Sequence, residues 1–578
     1  MRRARAISAL IALGTLVAVF AVGGSSQAEP KGRFALSNAK PGRPRLSSAA
    51  DPRIQTARSG SRARSEAPRA PQRHRSDDIQ VNGDNKKDPR DRFGSGEGFP
   101  QNETTIAINP RDSRNVIGGA NDYEFGIDSL SGVYVSFDGG RTWPVSRHIP
   151  DVQSVDRDWL ASGDPAVVFD SEGTAYFASI NFARTTCDSY ITVSRSTNKG
   201  LNWTMPAPAP AAGQEIIPGD GVVAHNGGDD DCQFFHDKEY IGAGPRPEGV
   251  PLVPGTDPEH VTPDRVYVTW TLFDFGPTGD TYMQSPIVIA YTDDQGRHWS
   301  EFQEISGSGP MCEFQYGDQD PFACDEDQFS TPAVDPRDGT VYVTFENFNT
   351  ACCLTNQLLV VKSTDGGQTW SSPVKVADVY DGPDAYPICA GSQTLDDMCA
   401  RIGSSLGNPE VNPRTGQLYV TWFDNRNGSN TDTNADVFIS TSTDGGATWS
   451  APHNITPQSD DQWWPWLSAT PDGSRLAVSY LDRRYADGIL IDTSLTVGRA
   501  NLSHRSTRRV SEVSWDANNS FRLGLFAGDY MGLDTTNKVA LPFWVDARFG
   551  EPNELGNNPP HTQSDVMTDV ERLSREDD

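Results

Sequence analysis

Ser363-Thr364-Asp365-Gly366-Gly367-Gln368-Thr369-Trp370 is a string that returns along the chain with small changes. Residues 136–143 read SFDGGRTW, 442–449 STDGGATW, 292–299 TDDQGRHW and 196–203 STNKGLNW, with Asn198 in the aspartate position. Each copy follows a short β-rich run: VYV, ITV, IVIAY, LLVV or VFIS. The shared pattern, S/T-x-D-x-G-x-x-W, has the chemistry of a hairpin. Its Ser or Thr ends a strand, and its Asp accepts hydrogen bonds from turn N–H groups as an Asx-turn does. Gly supplies the positive φ of a tight turn, and Trp opens the return strand and buries a large ring. One copy is a turn; five are an architecture.

Between these hairpins runs a second repeat: an apolar strand, a turn of the type D/N-P-x-x-G, then a Tyr- and Val-rich strand. It occurs from Thr104, Pro165, Thr331 and Pro409, and in stretched form from Glu239 to Trp270. Two further copies, from Trp466 and from Gly528, have no octapeptide after them. That makes seven units of strand, turn, strand, loop, strand, turn, strand. The expected fold is all-β, a seven-bladed propeller of four-stranded antiparallel blades. The last unit runs out of chain after its third strand, from Ser564. Ile79-Gln80-Val81-Asn82 is the expected donor of the missing edge strand, which would remove an exposed edge.

The octapeptide resembles the Asp-box, or BNR repeat, of the sialidase (neuraminidase) superfamily and its non-enzymatic relatives. The resemblance spans roughly residues 79–573 and rests on blade motifs. It implies a propeller whose Asp-boxes lie on the face away from any active site. Enzymes of that family are usually six-bladed, carry an F/Y-R-I-P motif and hold a substrate carboxylate with three arginines. Here a seventh unit is present, and Gln101-Asn102-Glu103-Thr104 stands in the first unit instead.

The chain opens with Arg2, Arg3 and Arg5, an apolar run at 7–22, and small residues up to Ala28. This is the layout of a secretory signal peptide, cleaved near Ala28. Residues 29–77, rich in Arg, Pro and Ser, have the composition of a disordered linker. The propeller is expected over 78–573, followed by a short tail at 574–578. Residues 1–92 hold 19 basic and 8 acidic residues, leaving 30 basic and 70 acidic for the remainder. A body that acidic disfavours nucleic acid as a partner. No later stretch is apolar enough to span a bilayer. Eight cysteines (Cys187, Cys232, Cys312, Cys324, Cys352, Cys353, Cys389 and Cys399) make an even count without CxxC metal spacing, which fits disulfides in an exported, monomeric chain.

Propeller topology divides the turns between two faces. The octapeptides and D/N-P-x-x-G turns fall on one. The long insertions and all eight cysteines fall on the other, where function is expected. At the starts of the inner strands stand Glu103, Asp164, Asp237, Glu239, Asp529 and Tyr530, with Trp463, Trp464 and Trp466 in the sixth unit. Carboxylates beside aromatic platforms suit sugar chemistry: acid and base at a glycosidic oxygen, rings for stacking. A Tyr530 pair with Glu103 or Glu239 is the foremost catalytic candidate. The structural alternative is that acids at strand ends satisfy neighbouring backbone or arginines, and that tryptophans fill space between blades.

Asp424-Asn425-Arg426, Asp482-Arg483-Arg484 and Asp546-Ala547-Arg548 repeat an Arg two residues after an Asp in three neighbouring units. Arg426, Arg484 and Arg548 are candidates for holding a substrate carboxylate; a structural Asp–Arg pair would repeat in the same way. Asp424, Asp432 and Asp436, with nearby asparagines, form an oxygen-rich loop, and Asp318, Asp320, Asp325 and Asp327 form another. Both are candidate Ca2+ sites of structural kind; no cofactor is otherwise required. No GxSxG, HExxH or phosphate-loop motif occurs, and His236 is the one histidine near the expected site. Two functions remain: a secreted glycoside hydrolase, sialidase-like or altered in substrate, and a non-catalytic propeller binding an extracellular polysaccharide or protein.

Overall fold

The octapeptides fold as one recurring hairpin. In all five the Ser or Thr hydroxyl accepts the N–H of the glycine four residues on, at 2.9, 2.9, 3.0, 2.7 and 2.9 Å from Gly140, Gly200, Gly296, Gly367 and Gly446. The carboxylate, or the Asn198 amide oxygen, accepts the main-chain N–H of the seventh residue at 2.8 to 2.9 Å. The fourth and fifth residues both have positive φ, for instance 72° and 93° at Gly366 and Gly367, which is the reason for glycine there.

The computed structural model describes residues 78–82, 100–123, 129–149, 161–183, 187–204, 221–226, 232–314, 321–350, 355–380, 382, 394–398, 400, 406–429, 432–486, 488–520, 528–550 and 563–573. The proposed signal peptide and linker, the 574–578 tail, Cys352, Cys353, Cys389, Cys399, Asp318 and Asp320 lie outside these residues. Seven antiparallel sheets form seven blades. Their innermost strands are Gln101–Ile108, Ala161–Phe169, Phe234–Pro245, Asp327–Val334, Asn408–Val411, Gln462–Ala469 and Gly532–Thr535, in blades 1 to 7. Among the described residues the helical content is one 3-10 turn, Ala517–Asn519. No helix among them is long and apolar enough to cross a membrane.

The ring shuts between chain ends. Blade 7 comprises Gly532–Thr535, Val539–Asp546, Asp565–Thr568 and, as its fourth strand, Ile79–Gln80. Ile79 faces Thr568 and Gln80 faces Met567. Val81 adds a main-chain bond to Val566 at 2.8 Å. Asn82 donates to Gln101 and Asp565 and accepts from the Val566 N–H. One residue therefore binds blade 1 to blade 7.

Blades pack face to face through apolar side chains. In blade 1 a side chain at Gly118 would meet the Phe543 ring of blade 7 at 2.4 Å, and one at Gly119 the Phe177 ring of blade 2 at 2.8 Å. Two adjacent glycines thus admit an aromatic ring from either side. The two disulfides among the described residues, Cys187–Cys232 and Cys312–Cys324, lie in loops and crossings on the face opposite the octapeptides.

Candidate functional site at the channel mouth

Five innermost strands carry a β-bulge at one register. It falls between Asn102 and Thr105, Gly163 and Ala166, Asp237 and Tyr240, Gln328 and Thr331, and Trp463 and Trp466. The first extra residue of each (Glu103, Asp164, Lys238, Phe329 and Trp464) has φ of 56°, 54°, 51°, 60° and 49°. Non-glycine residues in this left-handed region each cost on the order of 1 kcal/mol or more. A bulge re-aims a side chain that a regular strand would turn into the neighbouring blade. In blade 7, Tyr530 occupies the same register, two residues before Gly532, as Trp464 does before Trp466.

Contacts between blades that are not neighbours establish that these side chains meet on the axis. The Lys238 Nζ of blade 3 lies 3.9 Å from the centre of the Tyr530 ring of blade 7 and 5.6 Å from that of Tyr240. Tyr240 of blade 3 packs on Trp466 of blade 6, ring centres 5.2 Å apart. Aromatic rings and one ammonium group thus bridge the channel, and the cation–π contact with Tyr530 is desolvated and correspondingly strong.

The carboxyl groups sit around this bridge. Glu103 accepts from Asn121 Nδ2 at 2.5 Å, and the same Asn121 accepts the Asp164 N–H at 2.8 Å. Asp237 accepts from Gln328 Nε2 at 3.1 Å. Glu239 is wholly buried, and neither of its oxygens has a hydrogen-bond partner among the described residues. Burial, then the charge of Asp164, drive its pKa well above the usual carboxyl range, against the pull of Lys238. Burial therefore favours the protonated form of Glu239. The Tyr530 hydroxyl also has no hydrogen-bond partner among the described residues. Burial and the nearby Glu103, Asp164 and Glu239 raise its pKa well above 10. Asp529 is buried one residue earlier.

The structure thus brings Glu103, Asp164, Glu239 and Tyr530 together, with Trp464 and Trp466 among the channel-lining aromatics. It adds Lys238 and Phe329, which spacing alone does not single out; their signal is the shared bulge register. His236 accepts the Trp270 indole N–H at 2.9 Å through Nδ1, and burial lowers its pKa to about 3, so it is a neutral structural imidazole.

The three candidate arginines stand apart from this cluster, each on its own blade's Asp. Arg426 donates to Asp424 at 2.8 Å and to the Asp378 carbonyl, and packs 4.2 Å from the Phe438 ring. Arg484 bridges Asp482 at 2.6 Å, and Arg548 bridges both Asp546 and Asp78. In the oxygen-rich loop the aspartate oxygens have protein partners. Asp424 is taken by Arg426 and Asp436 accepts from Asn427 and Thr456. Asp432 bonds to Ser429 through its main chain. Among the described residues no group of three or more His, Cys, Asp or Glu side chains could hold a metal ion.

Neither a protein-family model nor a curated protein sequence matches the chain. Solved structures do. The phage phi92 endosialidase matches at 10% identity and a TM-score of 0.42, over 87% of this chain and 70% of that one. An α-L-arabinofuranosidase from Fusarium graminearum matches at 13% and 0.38, over 86% and 98%. The NanB sialidase from Streptococcus pneumoniae matches at 12% and 0.34, over 83% and 69%. With its five recurring hairpin turns and its ring of four-stranded antiparallel blades, the chain has the fold of a seven-bladed β-propeller.

Proposed function

We propose that this chain is exported and acts on an extracellular glycan as a glycoside hydrolase, with its chemistry at the channel mouth. The observation that carries the reading is Glu239. A carboxylic acid whose protonated form is favoured by burial, beside other carboxyls and a tyrosine, suits general acid catalysis at a glycosidic oxygen. In this reading Glu239 protonates the leaving oxygen. Asp164 or Glu103, or Tyr530 activated by one of them, supplies the opposing base or nucleophile. Trp464 and Trp466 offer ring faces to the sugar.

One observation favours a second reading, a non-catalytic propeller that binds a glycan or protein through the loops of this face. All six candidate catalytic residues are buried, and Lys238 lies over Tyr530, an arrangement that also serves to join blades 3 and 7 without turnover. The test is the full chain against a panel of chromogenic glycosides, a sialoside included, with Glu239→Gln alongside. The amide is close to isosteric with the protonated carboxyl that burial favours, so the unfolding midpoint is expected to stay put. Turnover is expected to fall at least about 100-fold, the usual scale for a general acid. Undiminished turnover in Glu239→Gln removes the assignment, and no turnover on any sugar gives the binding reading precedence.

A further inference from the structure

Of the five axial bulges, the one in blade 3 is built differently. The second bulge residue is Thr104, Pro165, Ser330 or Pro465 in blades 1, 2, 4 and 6, and none of these ionises. In blade 3 it is Glu239, so Lys238 and Glu239 set a cation and an acid side by side between Asp237 and Tyr240. The two do not close a hydrogen-bonded ion pair. Lys238 is 1% exposed and Glu239 wholly buried, yet neither the Nζ nor either Glu239 oxygen has a hydrogen-bond partner among the described residues. Lys238 instead crosses the axis, where its Nζ sits 3.9 Å from the centre of the Tyr530 ring.

An ammonium without hydrogen bonds is costly to bury, and an aromatic face offsets only part of that cost. A methionine would fill the same space more cheaply, as apolar replacements of buried charges often do. The charge therefore calls for a use, and Glu239 supplies one. Asp164 from blade 2 and Asp237 on the same strand oppose a negative charge on Glu239, whereas Lys238 favours it. Tyr530 faces the group from blade 7, with Glu103 of blade 1 beside it. In a site this dry, charges act on one another without touching.

We propose, on the reading of Glu239 as general acid, that Lys238 is its positioning residue: the ammonium touches no substrate and steadies the carboxylate that Glu239 becomes when its proton leaves. In that step the Glu239 O–H bond breaks. Its proton joins the leaving oxygen, which also keeps the electron pair of the cleaved C–O bond. Water gives its hydroxyl to the sugar carbon, and its remaining proton restores the acid. A buried carboxylate pressed only by Asp164 and Asp237 would resist this transfer, and a fixed cation nearby lowers the resistance. The Tyr530 ring has a second effect. By holding the ammonium off Glu239, it prevents a direct ion pair that would keep the acid ionised from the start.

Infrared difference spectra of the full chain, from about pH 4 to 9, test this without any substrate. Subtracting Glu239→Gln in each background isolates the carbonyl band of protonated Glu239. In Lys238→Met, with Lys238→Gln as a second neutral variant, that band is expected to persist about one pH unit higher than in wild type, about a tenfold change in the ionisation equilibrium. Lys238→Arg is expected to return it towards the wild-type position. Lys238→Met is expected to unfold no more easily than wild type, since the ammonium has no hydrogen bond to lose among the described residues. With a glycoside that is turned over, the alkaline limb of the rate profile is expected to move the same way, with kcat down about tenfold and KM unchanged. A band that ignores Lys238→Met, moves equally in Lys238→Arg, or is missing from wild type at every pH overturns the role of Lys238. The hydrolase reading fails separately. A band that shifts as expected in a protein without turnover removes the hydrolase and leaves the coupling of the two side chains standing. Turnover that Glu239→Gln abolishes, with a band blind to Lys238, does the reverse.

Discussion

Asp365 accepts four hydrogen bonds within its own octapeptide: from the Ser363 hydroxyl at 2.8 Å, the N–H of Gln368 at 3.1 Å, the N–H of Thr369 at 2.9 Å and the Thr369 hydroxyl at 2.6 Å. Substituting alanine exposes those donors to water rather than burying them, so the loss is that of a capping residue, on the order of 1 kcal/mol. Urea unfolding of Asp365→Ala should show a lowered midpoint with unchanged m-value. At Asp444 the equivalent bonds, that from the Thr448 hydroxyl foremost, lower the carboxyl from 3.8 to about 2. The folded value lies below the unfolded one. Its stabilisation is therefore complete above about pH 4 and lost as pH falls towards 2. The stability difference between wild type and Asp444→Asn should shrink across that window; a constant difference would mean that the charge contributes nothing. These aspartates are legible in sequence because every partner lies within four residues. Lys238 is not, because its meaning depends on which blade stands across the axis.

At the scale of the element, the Asp-x-Arg repeats and the bulges teach opposite lessons. The repeats are conspicuous in sequence and prove to be strand-end knots. In blades 5 and 7 the buried Asp accepts both a guanidinium and an indole N–H, Trp422 to Asp424 at 3.0 Å and Trp544 to Asp546 at 3.2 Å. Arg548 has a second duty, since Asp78 reaches it from the N-terminal segment at 2.7 Å. Arg548→Ala takes the guanidinium from two carboxylates, Asp546 and Asp78, and removing one partner of a buried ion pair typically costs about 3–5 kcal/mol. Differential scanning calorimetry should show Arg548→Ala far more destabilised than Arg141→Ala, whose guanidinium is exposed on the turn face. Comparable losses would show Arg548 to be no more than a surface pair. The bulges, by contrast, leave almost no trace in sequence. Glu103, Asp164, Lys238, Phe329 and Trp464 share a backbone conformation and no side-chain chemistry, so only strand register reveals them as one ring.

For the whole molecule, the blade count follows from repeats visible in the chain, and closure follows from what the seventh repeat lacks. Where the N-terminal strand joins blade 7, one buried carboxylate gathers three amides. Asp565 accepts from Gln80 at 2.8 Å, Asn82 at 2.9 Å and Gln563 at 2.9 Å. Burial raises its pKa from 3.8 to about 6, against those hydrogen bonds, Asn82 first among them. The folded value lies above the unfolded one, so the folded state binds the extra proton. Stability from this group is therefore full below about pH 4, falls as pH rises through about 6, and is level thereafter. The total is roughly 3 kcal/mol at 1.4 kcal/mol per unit. The Asn82 bond favours the ionised carboxyl, so it is worth most when Asp565 is charged. Asn82→Ala, which also leaves the Val566 N–H and Gln101 Oε1 without this partner, should lower unfolding free energy at pH 7 by about 1–2 kcal/mol more than at pH 5. Urea titrations of both proteins at the two pH values measure that difference. Equal losses at pH 5 and 7 would mean that Asp565 does not titrate at the seam, and that the ring is latched by its apolar contacts and main-chain bonds instead.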